Sequence, residues 1–595
     1  MDHADRAGSS RPSTQIEHID FTRRSIDAWS DPHGRHRNWP VVYTLNNDRD
    51  VYVGESLNAV SRMRQHLEST EKQGLRSLRI VLDDTFNKSV CLDLESFLIR
   101  MFSGDGRFQV LNRNDGVTNA EYFDRVAYQD AFAEVFEQLR KSGLFEKRIP
   151  EIVNSDLFKL SPFKALNKDQ EVVVEDIIQG LLADRASGLD STAVVEGGPG
   201  TGKTIVAIYL IKLLVDIQNG NDHDNPDAES VFSEFFELDR RALLRGARIG
   251  LVVPQQSLRA SIKKVFARTP GLHKSMVLTP YDVANSEHDY DLLVIDETHR
   301  LTQYGAQAMG TLTKAYREAS QHLAQRDEDW RHLTQIDWIV RRSRHQVFLL
   351  DEGQGVRPID VPEAALHGLR AAARDRTYPL MTQMRVRAGD DYIGYVRAVL
   401  SDYAPETPQQ FHGYDLRFFE DLGSMRDEIV AKNREHGLAR LAAGYAWPWN
   451  SKGGKPGDGV FDMEIDGIRL CWNREATDWI NSRTSVEEVG SIHTVQGYDL
   501  NYVGVIIGRD IYFDDHSQRI RFDRANYFDK KGRANNNLLG LAYSDDDILR
   551  MVKNIYSVLL TRGMLGTYVY VCDAGLREHL RRYFSAGAAA RTRRV

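Results

Sequence analysis

Short, nearly unbroken apolar runs recur along this chain, each closing on a glycine-rich or acidic stretch, with apolar positions at helical spacing between them. Residues 191–195, 248–254, 290–295, 345–350 and 503–508 read as buried strands, apolar on both faces as strands of parallel sheets are. Residues 171–182 and 205–215 read as helices flanking the first of these. Nearer the start, 39–45 and 51–56 read as two strands around the polar turn 46–50, a hairpin signature. Helices over 58–68 and 90–102 follow, then a short extended piece at 110–113.

The polar stretches divide this pattern into parts. A polar extension, 1–36, holds one short helix at 21–29, and a mixed α/β domain spans 37–145, ending in an amphipathic helix at 128–142. A linker, 146–162, carries Pro150 and Pro162. Two parallel-sheet lobes follow, 163–375 and 376–585; the first carries insertions at about 219–246, rich in Asn and Asp, and 303–343, with Trp330 and Trp338. A tail, 586–595, contains Arg591, Arg593 and Arg594. The expected class is α/β, with a ligand in the cleft at the strand ends.

The strand at 191–195 leads into Gly197, Gly198, Pro199, Gly200, Thr201, Gly202, Lys203 and Thr204. This fits the phosphate-binding pattern G-x-x-x-x-G-K-S/T in its required strand–loop–helix setting. Glycines let backbone N–H groups turn toward phosphate oxygens, and the helix N-terminus adds partial positive charge. Lys203 is expected at the β- and γ-phosphates of ATP and the Thr204 hydroxyl on Mg²⁺. The run 290–295 ends in Asp296 and Glu297, one carboxylate for Mg²⁺ and one to activate the hydrolytic water. The run 345–350 leads to Gln354, placed to sense the γ-phosphate.

Composition narrows the class. The chain has 595 residues, 42% hydrophobic and 27% charged, with a net charge of −8, ordinary for a soluble globular protein. An acidic total does not exclude a basic groove for nucleic acid. No apolar run reaches the roughly 18 residues of a membrane span, so no membrane association is expected. Residues 1–15 have no apolar core, so no secretory signal is expected. Cys91, Cys471 and Cys572 are far apart, which fits a reducing cytoplasm.

The first domain resembles the GIY-YIG nuclease family over roughly 38–125. Val41-Val42-Tyr43 stands at the GIY position, Tyr52-Val53-Gly54 at YIG, and Asn58, Arg62, His66, Glu95 and Asn112 follow in the family's order; Val41 replaces the first glycine. The resemblance implies a one-metal phosphodiesterase. Glu95 would hold the ion (Mg²⁺, with Mn²⁺ an alternative), Tyr43 and Tyr52 would orient or deprotonate water, and Arg62 would offset transition-state charge, with His66 beside them.

Residues 160–575 resemble the Schlafen-type helicase-like ATPases related to superfamily 1. The wording that carries this is DETHRL at 296–301, DEGQGVRP at 351–358, AGYAWPWN at 443–450, HTVQGYD at 493–499 and LLTRGM at 559–564. The resemblance implies that Gln170 reads adenine, that Gln496 and Gly497 couple nucleotide to nucleic acid, and that Arg385 and Arg562 reach the γ-phosphate from the second lobe. Trp447 and Trp449 are either base-stacking platforms or core. Together the two resemblances imply an ATP-dependent nuclease–helicase on nucleic acid, DNA favoured over RNA, in a bacterial restriction or phage-defence setting, as a homo-oligomer or with a defence-system partner protein. A nucleotide-gated binding switch, an RNA-directed nuclease and a motor with an inactive nuclease module are the alternatives.

Overall fold

The computed structural model describes residues 14–29, 34–69, 72–112, 122, 125–164, 166–220, 232–307, 309–388, 390–451, 459–475, 479–495 and 498–584. Gln496, Gly497 and the tail therefore lie outside the described residues. The chain divides into two compact units. One comprises Met1–Asn167, Lys212–Arg241 and Ser261–Lys274; the other comprises Lys168–Ile211, Ala242–Ala260 and Ser275–Val595.

The first unit is built on a sheet of β1 (Gln15–Asp20), β2 (Val41–Asn46), β3 (Asp50–Ser56), β4 (Ser77–Leu82) and β5 (Gln109–Val110), in the order β1-β4-β2-β3-β5. β2 and β3 form the expected hairpin. Asn47 closes its turn, the side-chain oxygen accepting from Arg49 N at 2.7 Å and Asp50 N at 2.6 Å, an Asx turn. Only β5 is parallel to its neighbour. The helices Ala59–Glu68 and Lys88–Asp105 correspond to those expected. β1 was not expected: it lies within the polar extension yet pairs antiparallel with β4. It is an edge strand whose residues are exposed or only partly buried, so they carry little of the alternation that marks a strand.

The second unit holds two parallel sheets. In the first, β6 (Ser191–Gly197), β7 (Ile249–Val252), β8 (Val277–Leu278), β9 (Tyr290–Ile295), β10 (Ser343–Leu350) and β11 (Thr377–Leu380) take the order β11-β6-β10-β9-β7-β8. Val194, Val252, Leu293, Ile295, Phe348 and Leu350 bury together in one core. β11 pairs with β6, so the first sheet reaches past the expected division at 375/376.

The second sheet takes the order β12-β20-β17-β13-β16 from β12 (Asp415–Phe418), β13 (Ala439–Ala443), β16 (Val489–Ser491), β17 (Leu500–Ile507) and β20 (Gly563–Val571). Two small hairpins, β14 (Met463–Ile465) with β15 (Ile468–Leu470) and β18 (Ile511–Asp514) with β19 (Arg519–Phe522), decorate it. The architecture is mixed α/β with parallel sheets, as expected. No helix of the described residues is long and apolar enough to cross a membrane.

Candidate functional site

Parallel strands end together, so the loops after β6, β9 and β10 meet at one edge of the sheet. After β6, Gly200 and Gly202 take φ of 85° and 82°, where only glycine enters freely. Space also excludes a side chain there: a Cβ on Gly200 would stand 2.6 Å from Arg385 Cβ. Lys203 is buried, and its Nζ donates to the carbonyls of Gly197 at 2.7 Å and Gly198 at 2.8 Å. The same nitrogen lies 3.3 Å from Asp351 Oδ2 at the end of β10. Burial works against the charge of Asp351, but Lys203, His299 and a hydrogen bond from Gln354 hold its carboxyl below the ordinary range.

The end of β9 supplies the carboxylates. Thr204 Oγ1 donates to Asp296 Oδ2 at 2.7 Å. Burial raises the Asp296 carboxyl, and the neighbouring Glu297 charge raises it further. Burial pushes Glu297 the same way, but His299, Lys203 and Arg562 together bring it down. Glu297 sits at φ 51° and ψ 45°, a left-handed conformation that a non-glycine residue adopts at a cost of order 1 kcal/mol or more. Its Oε2 is 3.0 Å from His299 Nε2.

The remaining candidates surround this edge. Gln170 is buried, and its Nε2 donates to Thr201 O at 2.9 Å. Gln354 Nε2 donates to Asp351 Oδ2 at 2.5 Å, and Arg562 NH2 donates to Gln354 Oε1 at 3.1 Å. Arg562 is 1% exposed, and burial followed by repulsion from Arg385 pushes its guanidinium down to about 9. Arg385 pairs with Asp499. Among the described residues, Arg562 Nε and Arg385 NH1 are buried donors without an acceptor. Such orphaned cationic donors beside Lys203 fit the oxygens of a nucleotide triphosphate, and the Thr204 hydroxyl with the Asp296 carboxylate fits a divalent ion. Pro199 O accepts from the Gln383 side chain, and Met384 N donates to Gly200 O at 3.0 Å.

Sequence reading did not single out Asp351, His299, Gln383 or Asp499 as site residues. Asp351 follows β10 directly and His299 lies four residues past β9, a usable signal; Asp499 closes the stretch HTVQGYD, and Gln383 carries no signal apart from the fold. Trp447 and Trp449 pack against the core of the second sheet, which supports core over stacking.

In the first unit, Tyr43 on β2 stands opposite Gly54 on β3. A Cβ at Gly54 would overlap the Tyr43 hydroxyl, so glycine there makes room for the tyrosine. Tyr43 Oη lies 2.7 Å from His66 Nε2, and the Tyr52 and His66 rings are 5.3 Å apart. Arg62 acts electrostatically on both tyrosines. Burial, with the charges of Lys72 and Arg62, brings His66 down to about 2, so its imidazole is neutral at physiological pH.

Two particulars differ from expectation. Tyr43 is 0% exposed, so Tyr52, half-buried, is the tyrosine with surface to offer a water. Glu95, expected to hold the ion, is half-buried on its helix and not enclosed, so the cost of desolvating its carboxylate is reduced. Glu95 still acts on Tyr43 and Cys91. Among the described residues no group of three or more His, Cys, Asp or Glu side chains could hold a metal ion. Asn112 pairs both amide atoms with the Val53 backbone, at 3.0 and 2.8 Å, and so extends the sheet.

A profile described as "Schlafen group 3, DNA/RNA helicase domain" matches residues 190–573. An uncharacterized protein of Saccharomyces cerevisiae is 27% identical over 422 residues, covering 65% of this chain and 83% of the yeast protein.

Proposed function

From its membership of the Schlafen group 3 DNA/RNA helicase domain family, to which the chain belongs, we propose an ATP-driven motor on nucleic acid joined to a metal-dependent nuclease. The observation that carries the motor reading is the pair of buried, acceptor-free arginine donors, on Arg562 and Arg385, beside Lys203 at the strand ends. Glycine-framed N–H groups and Lys203 bind the phosphates, Thr204 and Asp296 hold Mg²⁺, and Glu297 positions the attacking water. Bound Mg²⁺ supplies charge neutralisation of the β- and γ-phosphates. Gln170 and the Gln383–Met384 segment frame the loop. The Tyr43–His66–Arg62–Tyr52 cluster, with Glu95 as the candidate ligand for Mg²⁺ or Mn²⁺, supports the nuclease reading. DNA is the favoured substrate on the family resemblance of the first unit.

Lys203→Ala is expected to abolish ATP turnover while the protein stays folded; normal turnover would overturn the motor reading. Glu95→Ala is expected to abolish divalent-dependent cutting across a panel of DNA and RNA forms while ATPase persists. Full cutting by that variant would overturn the nuclease assignment. A nucleotide-gated binding switch is the second reading, favoured by the Gln383 and Met384 contacts, which tie that segment to the carbonyls of the loop. Strand separation by the wild type rules it out.

A further inference from the structure

The turn after the helix Ala59–Glu68 returns a lysine to the histidine of the nuclease-like cluster. Ser69 N donates to His66 O at 3.2 Å, Lys72 N to Ser69 O at 3.1 Å, and Leu75 N to Lys72 O at 3.1 Å, with Leu75 buried. This chain of turns fixes the Lys72 backbone under His66. Its Nζ reaches His66 Nδ1 at 3.0 Å and stands 3.5 Å from the centroid of the Tyr52 ring. The opposite ring nitrogen, Nε2, faces Tyr43 Oη at 2.7 Å.

An ammonium group has three donors and no acceptor. Against Lys72, Nδ1 of a neutral imidazole must accept, so its proton sits on Nε2. His66 then donates to Tyr43 Oη and has no lone pair facing that hydroxyl. We infer that Lys72 is a positioning residue that locks His66 as the Nε2–H tautomer, so that His66 is a hydrogen-bond donor to Tyr43 and not the base that takes its proton.

This rests on the nuclease reading only for its consequence. With His66 as donor and the Arg62 guanidinium, itself donor-only, beside the same hydroxyl, Tyr43 Oη is polarised by two donors and held in one orientation. Tyr52, whose ring lies under Lys72, is left as the tyrosine that presents a hydroxyl to substrate. The lysine is at no position of the motif set, which explains why only the folded turn exposes it.

The test reads the tautomer and the reaction separately. In full-length protein labelled with ¹⁵N-histidine, with His66 assigned by comparison with His66→Asn, wild type is expected to show the protonated-nitrogen shift at Nε2 and the unprotonated shift at Nδ1. Lys72→Arg, still donor-only, is expected to keep that pattern, whereas Lys72→Met loses it to a tautomer mixture or to the Nδ1–H form. A wild-type Nδ1–H pattern, or a Lys72→Met spectrum identical to wild type, overturns the inference. Cleavage is expected to fall at least about tenfold in Lys72→Met and to be rescued in Lys72→Arg; in serine proteases a wrong histidine tautomer costs about 10⁴-fold. A wild type that cuts no nucleic acid refutes the nuclease reading, while the tautomer is still decided by the spectra.

Discussion

Asp510 follows β17 and is fully buried. Tyr556 Oη donates to its Oδ1 at 2.6 Å and itself accepts from Gly508 N at 3.0 Å; Oδ2 has no partner among the described residues. Burial dominates, against the Tyr556 hydrogen bond, and pushes this carboxyl up from 3.8 to about 7. A raised folded-state value means that the native protein binds the proton more tightly than the unfolded chain. Stability from Asp510 is therefore fully present below about pH 4 and is lost as pH rises toward 7. At about 1.4 kcal/mol per tenfold change in proton affinity, a rise of about three decades corresponds to about 4 kcal/mol. Asp510→Asn keeps an acceptor for Tyr556 and removes the titration. The variant is expected to gain several kcal/mol over wild type at pH 8 relative to its difference at pH 4, read from paired denaturant unfolding curves. An Asn variant whose difference from wild type is the same at both pH values would refute the reasoning, because burial would then impose no cost on the charge.

Three further outcomes are expected. Glu297→Gln should bind a fluorescent ATP analogue but hydrolyse ATP about a hundredfold more slowly; lost binding would make Glu297 structural. Arg562→Ala should lower hydrolysis by about 10³-fold, the lower end for a transition-state arginine, with Arg385→Ala also lowered; steady-state ATPase assays check both. Gly54→Ala should destabilise the first unit by about 1–3 kcal/mol through collision with Tyr43, read from the shift in its unfolding midpoint, and unchanged stability would mean that the hairpin relaxes to admit a methyl group.

Local chemistry is legible in the amino-acid sequence itself. The phosphate loop is contiguous, and its strand, glycines and helix start obey rules that act over a few residues, so Gly197 to Thr204 can be read directly. The same holds for β9 running into Asp296 and Glu297, and for the β2–β3 hairpin closed by Asn47, because apolar runs and turn residues report their own conformation. The polar edge strand β1 is not legible, because its pairing with β4 is set by a partner about sixty residues away and leaves no burial pattern of its own. β11 cannot be assigned to the first sheet for the same reason: strand order is a long-range choice.

Tertiary structure alone decided which side chains meet. Arg562 and Gln354 are far apart in sequence and 3.1 Å apart in space. Lys72 gains its bearing on Tyr43 only because a chain of turns places it against His66. Asp510 looks like any loop aspartate until β17 and the helix Asp545–Leu560 enclose it. The identity of a residue sets which protons it can give or take; the desolvation and neighbours that decide whether it does so come from packing between distant segments.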